Sequence, residues 1–145
     1  MEAISYEFCD WVIERIKSNL GNVLAEDKVF DVRKRDLGQK ISLAVNKGLG
    51  ACVVVELGGL IPQGSRPDDT QLEIEVDVTV CHNATMKSSS VFDSRAFAET
   101  LYRVFAGNSY KQLPGMPNNV RVGKLTTQGE DKLMHMFTVS LITTI

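Results

Sequence analysis

The sequence predicts an α+β fold, with a single mainly antiparallel sheet and helices packed on one face, in one domain that spans residues 1–145. Three observations support this prediction: a long stretch of strict strand alternation, amphipathic helical stretches, and two closing strands joined by a short turn. Successive strands are separated by segments too short to hold a crossover helix, which favours antiparallel pairing.

The clearest strand signal is the stretch Gln71–Cys81. Its even positions are apolar and its odd positions are polar until the final cysteine, which is the two-residue period of a strand with one buried and one solvated face. We expect the buried face to comprise Leu72, Ile74, Val76, Val78 and Val80. The length of the stretch predicts either a central strand or a long edge strand.

Three helices are predicted. Residues 3–20 place apolar side chains at three- and four-residue steps, with acids early and bases late, as expected for an amphipathic helix. A shorter helix is expected next, with Asp36 as its N-cap and Gly48 as the residue that ends it. The third helix is expected to begin near Asp93, with either Ser90 or Asp93 as its cap.

The remaining chain supplies further strands and loops. Ala51–Leu57 is dense in β-branched residues and predicts a buried strand. Val120–Thr127 and Leu133–Thr144 predict a closing hairpin. Two stretches rich in glycine and proline, Gly58–Thr70 and Asn108–Asn119, are predicted to be long surface loops.

Composition excludes several classes of protein. The net charge of −2 gives no basic field that would recruit nucleic acid or an anionic membrane. Three cysteines without a close pair in sequence indicate reduced, structural thiols of an intracellular protein. The acidic N-terminus argues against a signal peptide, and no apolar run approaches the roughly 18 residues of a membrane span.

The sequence shows no motif for catalysis, and we expect no catalytic residue, metal or cofactor. His135 falls on the expected core face of the last strand, which favours a structural histidine. His82 follows Cys81 directly, so the two side chains should point to opposite faces and not share a metal. Glycine-rich phosphate-binding motifs and RNA-binding motifs are absent, which argues against a nucleotide site and sequence-specific nucleic-acid recognition.

Three carboxylates on the solvated face of the long strand are candidate functional groups. Glu73, Glu75 and Asp77 should stand about 6.5–7 Å apart, given a rise of roughly 3.3 Å per residue. They could ligate a divalent cation or act as a catalytic pair. We favour a solvated face or an acidic surface that meets a basic partner, and acids on a strand also discourage uncontrolled edge pairing.

The basic run Arg33–Lys34–Arg35 is the second candidate. It lies at the end of Asn22–Arg35, a segment that could form either a short strand or packed coil. The run is either a solvated loop or a patch that meets acids on a partner. The candidate interface therefore comprises Arg33, Lys34, Arg35, Glu73, Glu75 and Asp77.

The order of elements resembles the tail terminator (tail-completion, minor tail) proteins of tailed bacteriophages and prophages. The resemblance rests on the first helix and four stretches, ACVVVELGG (Ala51–Gly59), LEIEVDVTV (Leu72–Val80), AFAETLYRVFAG (Ala96–Gly107) and FTVSLITT (Phe137–Thr144). The helix expected near Leu37–Lys47 departs from that pattern.

The resemblance implies a non-enzymatic assembly protein. Subunits of this family close into a ring, commonly a hexamer, that caps the tail tube and provides the surface for head–tail joining. The implied partners are further copies of the chain, the tail tube and head–tail connector proteins, with no membrane. The implied location is the host cytoplasm during assembly and then the virion tail.

Two other classes of function stay open from the residues. One is a dimeric adaptor or chaperone-like binding module that uses an exposed sheet edge to bind a partner strand. The other, less favoured, is a small divalent-metal-dependent enzyme that uses the face of Glu73, Glu75 and Asp77.

Overall fold

The computed structural model describes residues 4–62, 72–83, 92–106, 109–113, 116–128 and 134–144. Within them the helices are α1 (Ile4–Leu20), α2 (Leu37–Val45) and α3 (Ser94–Phe105). The strands are β1 (Val29–Asp31), β2 (Ala51–Pro62), β3 (Leu72–Asn83), β4 (Ser109–Leu113), β5 (Met116–Asn119), β6 (Arg121–Gln128) and β7 (Met134–Thr144). None of these helices is long and apolar enough to cross a membrane.

The main sheet has five strands in the order β1-β2-β3-β7-β6. Its pairs are antiparallel except for β1 and β2, which run parallel. The long alternating stretch therefore forms the central strand, the first of its two predicted positions. The α+β class and the mainly antiparallel sheet are confirmed.

The larger core lies between this sheet and the helices α1 and α3. Ile74, Val76, Val78 and Val80 of β3 point into it. Phe8, Phe105 and Phe137 are fully buried there. Trp11 on α1 stacks on Phe8 at 5.9 Å and meets the ring of Phe105 edge-on at 5.8 Å. These aromatic contacts connect the two helices above the sheet.

The expected packing of helices on one face holds for α1 and α3, whereas α2 lies on the opposite face. Ala44 and Val45 of α2 pack there against Cys52 and Cys81. The physical reason is the composition of β2, since all five residues of Ala51–Val55 are buried. A strand that is apolar on both faces needs cover on both faces.

The helix caps follow the sequence predictions in part. The Asp93 carboxylate accepts a hydrogen bond from the backbone N–H of Ala96 at 3.0 Å, so Asp93 caps α3. Asp36 occupies the N-cap position of α2, but with a φ of 60° and no capping hydrogen bond from its side chain. Ser90 lies outside the described residues.

Two predicted loops contain strands. β2 continues through Gly58 to Pro62, while residues 63–71 lie outside the described part of the chain. β4 and β5 form a two-stranded antiparallel ribbon where a loop was predicted over Asn108–Asn119. Pro117 is compatible with this ribbon because each of its strands is an edge, where a missing N–H is tolerated. The segment Asn22–Arg35, for which the sequence predicts either a short strand or packed coil, contains a short 3-10 turn and the strand β1.

A β-bulge interrupts the pairing of β2 with β3 between Leu57 and Leu60. A Cβ atom on Gly58 would lie 2.9 Å from the carbonyl oxygen of Glu75, whereas a Cβ on Gly59 would meet nothing within 4 Å. The bulge therefore requires glycine at the first of the two positions, because the backbones approach too closely for a side chain.

We expect Gly58→Ala to lower the free energy of unfolding by about 1–3 kcal/mol, as for other overpacked sites. The matched control Gly59→Ala should stay within about 0.5 kcal/mol of the wild type. Urea denaturation of both variants measures the difference. Equal stabilities would contradict the close approach at Gly58.

Candidate interaction surface

The three predicted carboxylates lie in one row along β3, on the face opposite to α1 and α3. The row continues from Cys81, which α2 covers, through Thr79 to Asp77, Glu75 and Glu73. Each of the three acids is half-buried. Strand alternation alone positions them, as the sequence predicted.

The structure adds Glu56 to this row. The register of β2 with β3 places Glu56 opposite Asp77, and Glu56 is exposed. We call Glu56, Glu73, Glu75 and Asp77 the acidic face. Sequence reasoning missed Glu56 because register between strands cannot be derived from either strand alone. The available signal was its position as the first charged residue after the apolar run of β2.

Hydrogen bonds connect part of the acidic face to the neighbouring strand. Ser140 of β7 donates its hydroxyl to Asp77 at 2.8 Å, and the hydroxyls of Thr79 and Thr138 lie 3.0 Å apart. Partial burial raises the pKa of Glu75, and the adjacent Asp77 raises it further. Ionised Glu75 therefore lies in an environment that disfavours its charge.

The geometry does not provide a cation site within the described part of the chain. No group of three or more histidine, cysteine, aspartate or glutamate residues there could hold a metal ion. Carboxylates on one strand face stand about 6.5–7 Å apart. Ca²⁺ and Mg²⁺ need several oxygens at roughly 2.0–2.6 Å from one centre.

The basic run divides into one clamped residue and two exposed ones. The Arg33 guanidinium donates to both carboxylate oxygens of Asp31, at 3.0 Å from Nε and 2.6 Å from Nη2. It also pairs with Asp10 on α1 and lies 4.9 Å from the Tyr6 ring centroid. Arg33 thus connects β1 to α1 within its own chain.

Lys34 and Arg35, the other two residues of the run, are exposed. A role for these two in binding a partner therefore stays a prediction. Arg33 is the less suitable member, because its charge is already matched by two carboxylates of its own chain.

The clamp also perturbs the ionisation of its carboxylate partner. Burial acts to raise the pKa of Asp31, but hydrogen bonds from the side chain and backbone of Arg33 outweigh burial and lower it. The Arg33 backbone N–H contributes one of these bonds at 2.9 Å. The folded protein therefore favours the ionised form of Asp31, and ionised Asp31 in turn stabilises the fold.

A surface groove of about 470 Å³ runs beside β1, one of the two edge strands of the described sheet, between α1 and α2. Its apolar lining residues are Ile13, Val29, Phe30 and Leu37, and its basic ones are Lys17, Arg33, Lys34 and Lys40. Asp10, Glu14 and Asp31 complete the lining. Lys34 therefore lines a groove that also includes residues of α1 and α2, which lie outside the basic run Arg33–Arg35.

The two histidines lie next to each other across β3 and β7. Their ring centroids are 5.8 Å apart, and His82 also meets the Phe92 ring at 5.2 Å. His82 is buried, whereas His135 is half-buried. Cys81 packs under α2 while His82 faces the other way, which confirms that the neighbours point to opposite faces.

No family model and no curated protein sequence matches this chain. Among solved structures, the chain is similar to one in a structure described as "Virion of native gene transfer agent (GTA) particle". The two chains are 13% identical, with a TM-score of 0.62 over 99% of this chain and 98% of the other. At this identity the likeness shows a shared fold, and it extends over nearly the whole of both chains.

We expect Asp31→Asn to lower the free energy of unfolding by about 2–3 kcal/mol at pH 7, because it removes charge-assisted hydrogen bonds to Arg33. The stabilisation by Asp31 is present above its ordinary pKa of 3.8 and is lost as the pH falls through the lower folded-state pKa. The gap between the variant and the wild type should therefore shrink in acid. Urea denaturation across pH measures it, with Asp27→Asn, an exposed neighbour, as the control.

We expect Glu75→Gln to stabilise the fold slightly at neutral pH, by less than about 1 kcal/mol. The folded-state pKa of Glu75 is raised, so ionisation costs stability as the pH rises above the ordinary value of 4.5. The gain should therefore disappear below that pH. Thermal unfolding of Glu75→Gln at neutral and acid pH tests this, with the exposed Glu26→Gln as the control. The prediction is refuted if Glu75→Gln is less stable than the wild type at neutral pH while the control is unchanged.

Proposed function

We propose that this chain is a non-enzymatic structural protein of a phage-like particle. The observation that carries the proposal is the fold shared with a chain of the gene transfer agent virion, over 99% of one chain and 98% of the other. A match over both whole chains supports a common role better than a shared supersecondary motif would, because the complete subunit shape determines how copies and partners fit.

We further propose the role of a tail terminator, a ring of identical subunits that caps the tail tube and provides the head–tail joining surface. A ring needs heterologous contacts, in which two different patches of each subunit meet. The acidic face supplies one patch. Lys34 and Arg35, together with Lys17 and Lys40 around the groove, supply a basic patch of the complementary sign.

The acidic face also fits a position on the inner wall of such a ring. DNA carries one negative charge per about 1.7 Å of duplex, so carboxylates along the wall would repel it. Repulsion would keep passing DNA from adhering to the channel. This part of the proposal depends on the ring and on the orientation of its subunits.

Mass in solution, measured by light scattering over a concentration series, tests the ring. We expect a closed ring of about six subunits, or a monomer that converts into a ring as concentration rises. A dimer that persists at every concentration would contradict the ring and favour the adaptor alternative.

The triple variant Glu73→Lys, Glu75→Lys and Asp77→Lys should weaken the ring, since it places positive charge against the basic patch of the neighbour. The control triple, Glu26→Lys, Asp27→Lys and Glu99→Lys, makes the same change in net charge at exposed positions outside the acidic face. Circular dichroism should confirm that both variants fold. If the first triple assembles like the wild type and supports infectious particles, the acidic face serves only solvation.

A further inference from the structure

The structure brings together two cysteines that stand far apart in sequence. Cys52 on β2 is the register partner of Cys81 on β3. Two residues along, the N–H of Asn83 donates to the carbonyl of Gly50 at 2.8 Å. Hydrogen-bonded pairs alternate along an antiparallel ladder, so the cysteines also form such a pair, with Cα atoms about 5.5 Å apart. A disulfide accepts Cα separations of roughly 4.4–6.8 Å but needs its Cβ atoms roughly 3.5–4.5 Å apart. Cβ atoms of directly opposite residues stand about 4.5–5.5 Å apart, so the two strands must draw together by about 1 Å for the bond to close.

The two thiols also share one environment and contact each other. Both side chains lie on the face covered by α2, with Cys52 fully buried and Cys81 8% exposed. The mutual contact of the two thiols, together with burial, raises the pKa of Cys52, whereas contact with Cys52 lowers the pKa of Cys81. Cys81 is the more exposed thiol of the pair, so an oxidant reaches it first and it acts as the nucleophile.

The third cysteine provides an internal contrast. Cys9 lies on α1 in the larger core, on the other side of the sheet. Burial, with a further contribution from Asp31, raises its pKa to about 11. A buried thiol with a raised pKa reacts slowly with oxidants.

The cover over the pair is the short helix α2, with Phe30 of β1 and Met136 of β7 packed beside it. α2 has nine residues, and its N-cap Asp36 makes no side-chain capping bond. Helices of this length depend on tertiary packing for their stability, and uncapped ends open most readily. Local opening of α2 gives a small oxidant a route to Cys81 without unfolding the sheet.

We propose that Cys52 and Cys81 are an oxidisable thiol pair that a peroxide converts into a cross-strand disulfide. The Cys81 thiolate attacks the peroxide O–O bond to form a sulfenic acid, and hydroxide leaves and takes up the proton released from the thiol to give water. The Cys52 sulfur then attacks the Cys81 sulfur, the S–S bond forms, and a second water leaves. Two thiols lose two electrons in total, and hydrogen peroxide gains them.

The disulfide would fasten β2 to the central strand of the sheet. In a reducing cytosol the pair stays as thiols, the state of the present structure, whereas an oxidising exterior favours the bond. The inference concerns this chain alone and does not depend on the proposed ring.

Peroxide treatment of the full-length chain tests the proposal. The treated protein is unfolded in the presence of N-ethylmaleimide, and intact mass counts the thiols that remain. We expect two of the three thiols to be lost, a peptide that links Cys52 to Cys81, a higher Tm, and reversal by dithiothreitol. Cys9→Ala should behave in the same way.

The variants Cys52→Ala and Cys81→Ala should each fold, form no intramolecular disulfide and show no rise in Tm. Thermal unfolding of the untreated variants checks that they are folded. The proposal is overturned if wild-type Cys52 and Cys81 both remain alkylatable at peroxide concentrations that oxidise glutathione. A disulfide that includes Cys9, or one that forms only between chains, overturns it equally.

Discussion

The antiparallel pairing of β2 with β3 is the interaction on which the rest of the structure depends. It aligns Ala51, Val53 and Val55 of β2 with the apolar even-numbered residues of β3 from Ile74 to Val80 on the face that α1 and α3 cover, and so builds the larger core. The same register sets Glu56 beside Asp77, Gly58 against Glu75, and Cys52 opposite Cys81. A shift by one residue would turn all of these side chains to the other face, so the core, the acidic face and the thiol pair depend on one register.

Periodicity predicted the elements whose environment is uniform along their length. β3 alternates strictly because one face is buried throughout, and α1 carries one apolar stripe because it packs on one surface. The side of the sheet taken by α2 follows from the two-faced burial of β2, which is a tertiary property. The ribbon of β4 and β5 was missed because the glycine and prolines of Asn108–Asn119 indicate turns, and a short edge strand tolerates Pro117.

Charge shows the same division between what sequence indicates and what only the fold determines. The acidic residues of β3 could be placed from alternation alone, but Glu56 required the register. The basic run gave no indication that Arg33 serves the clamp while Lys34 and Arg35 stay exposed, because Asp10 approaches from α1, 23 residues away. A local cluster of charge can therefore contain both a structural clamp and a binding surface.

The position of β7 has a consequence for the order in which the chain can fold. β7 lies between β3 and β6, and its contacts with β3 join residues as distant as Glu73 and Thr144. The central strand consequently keeps one open, unpaired edge during synthesis until β7 has left the ribosome. An unpaired edge of this length is prone to pairing with other chains. The carboxylates along β3 provide mutual repulsion between nascent copies during that interval.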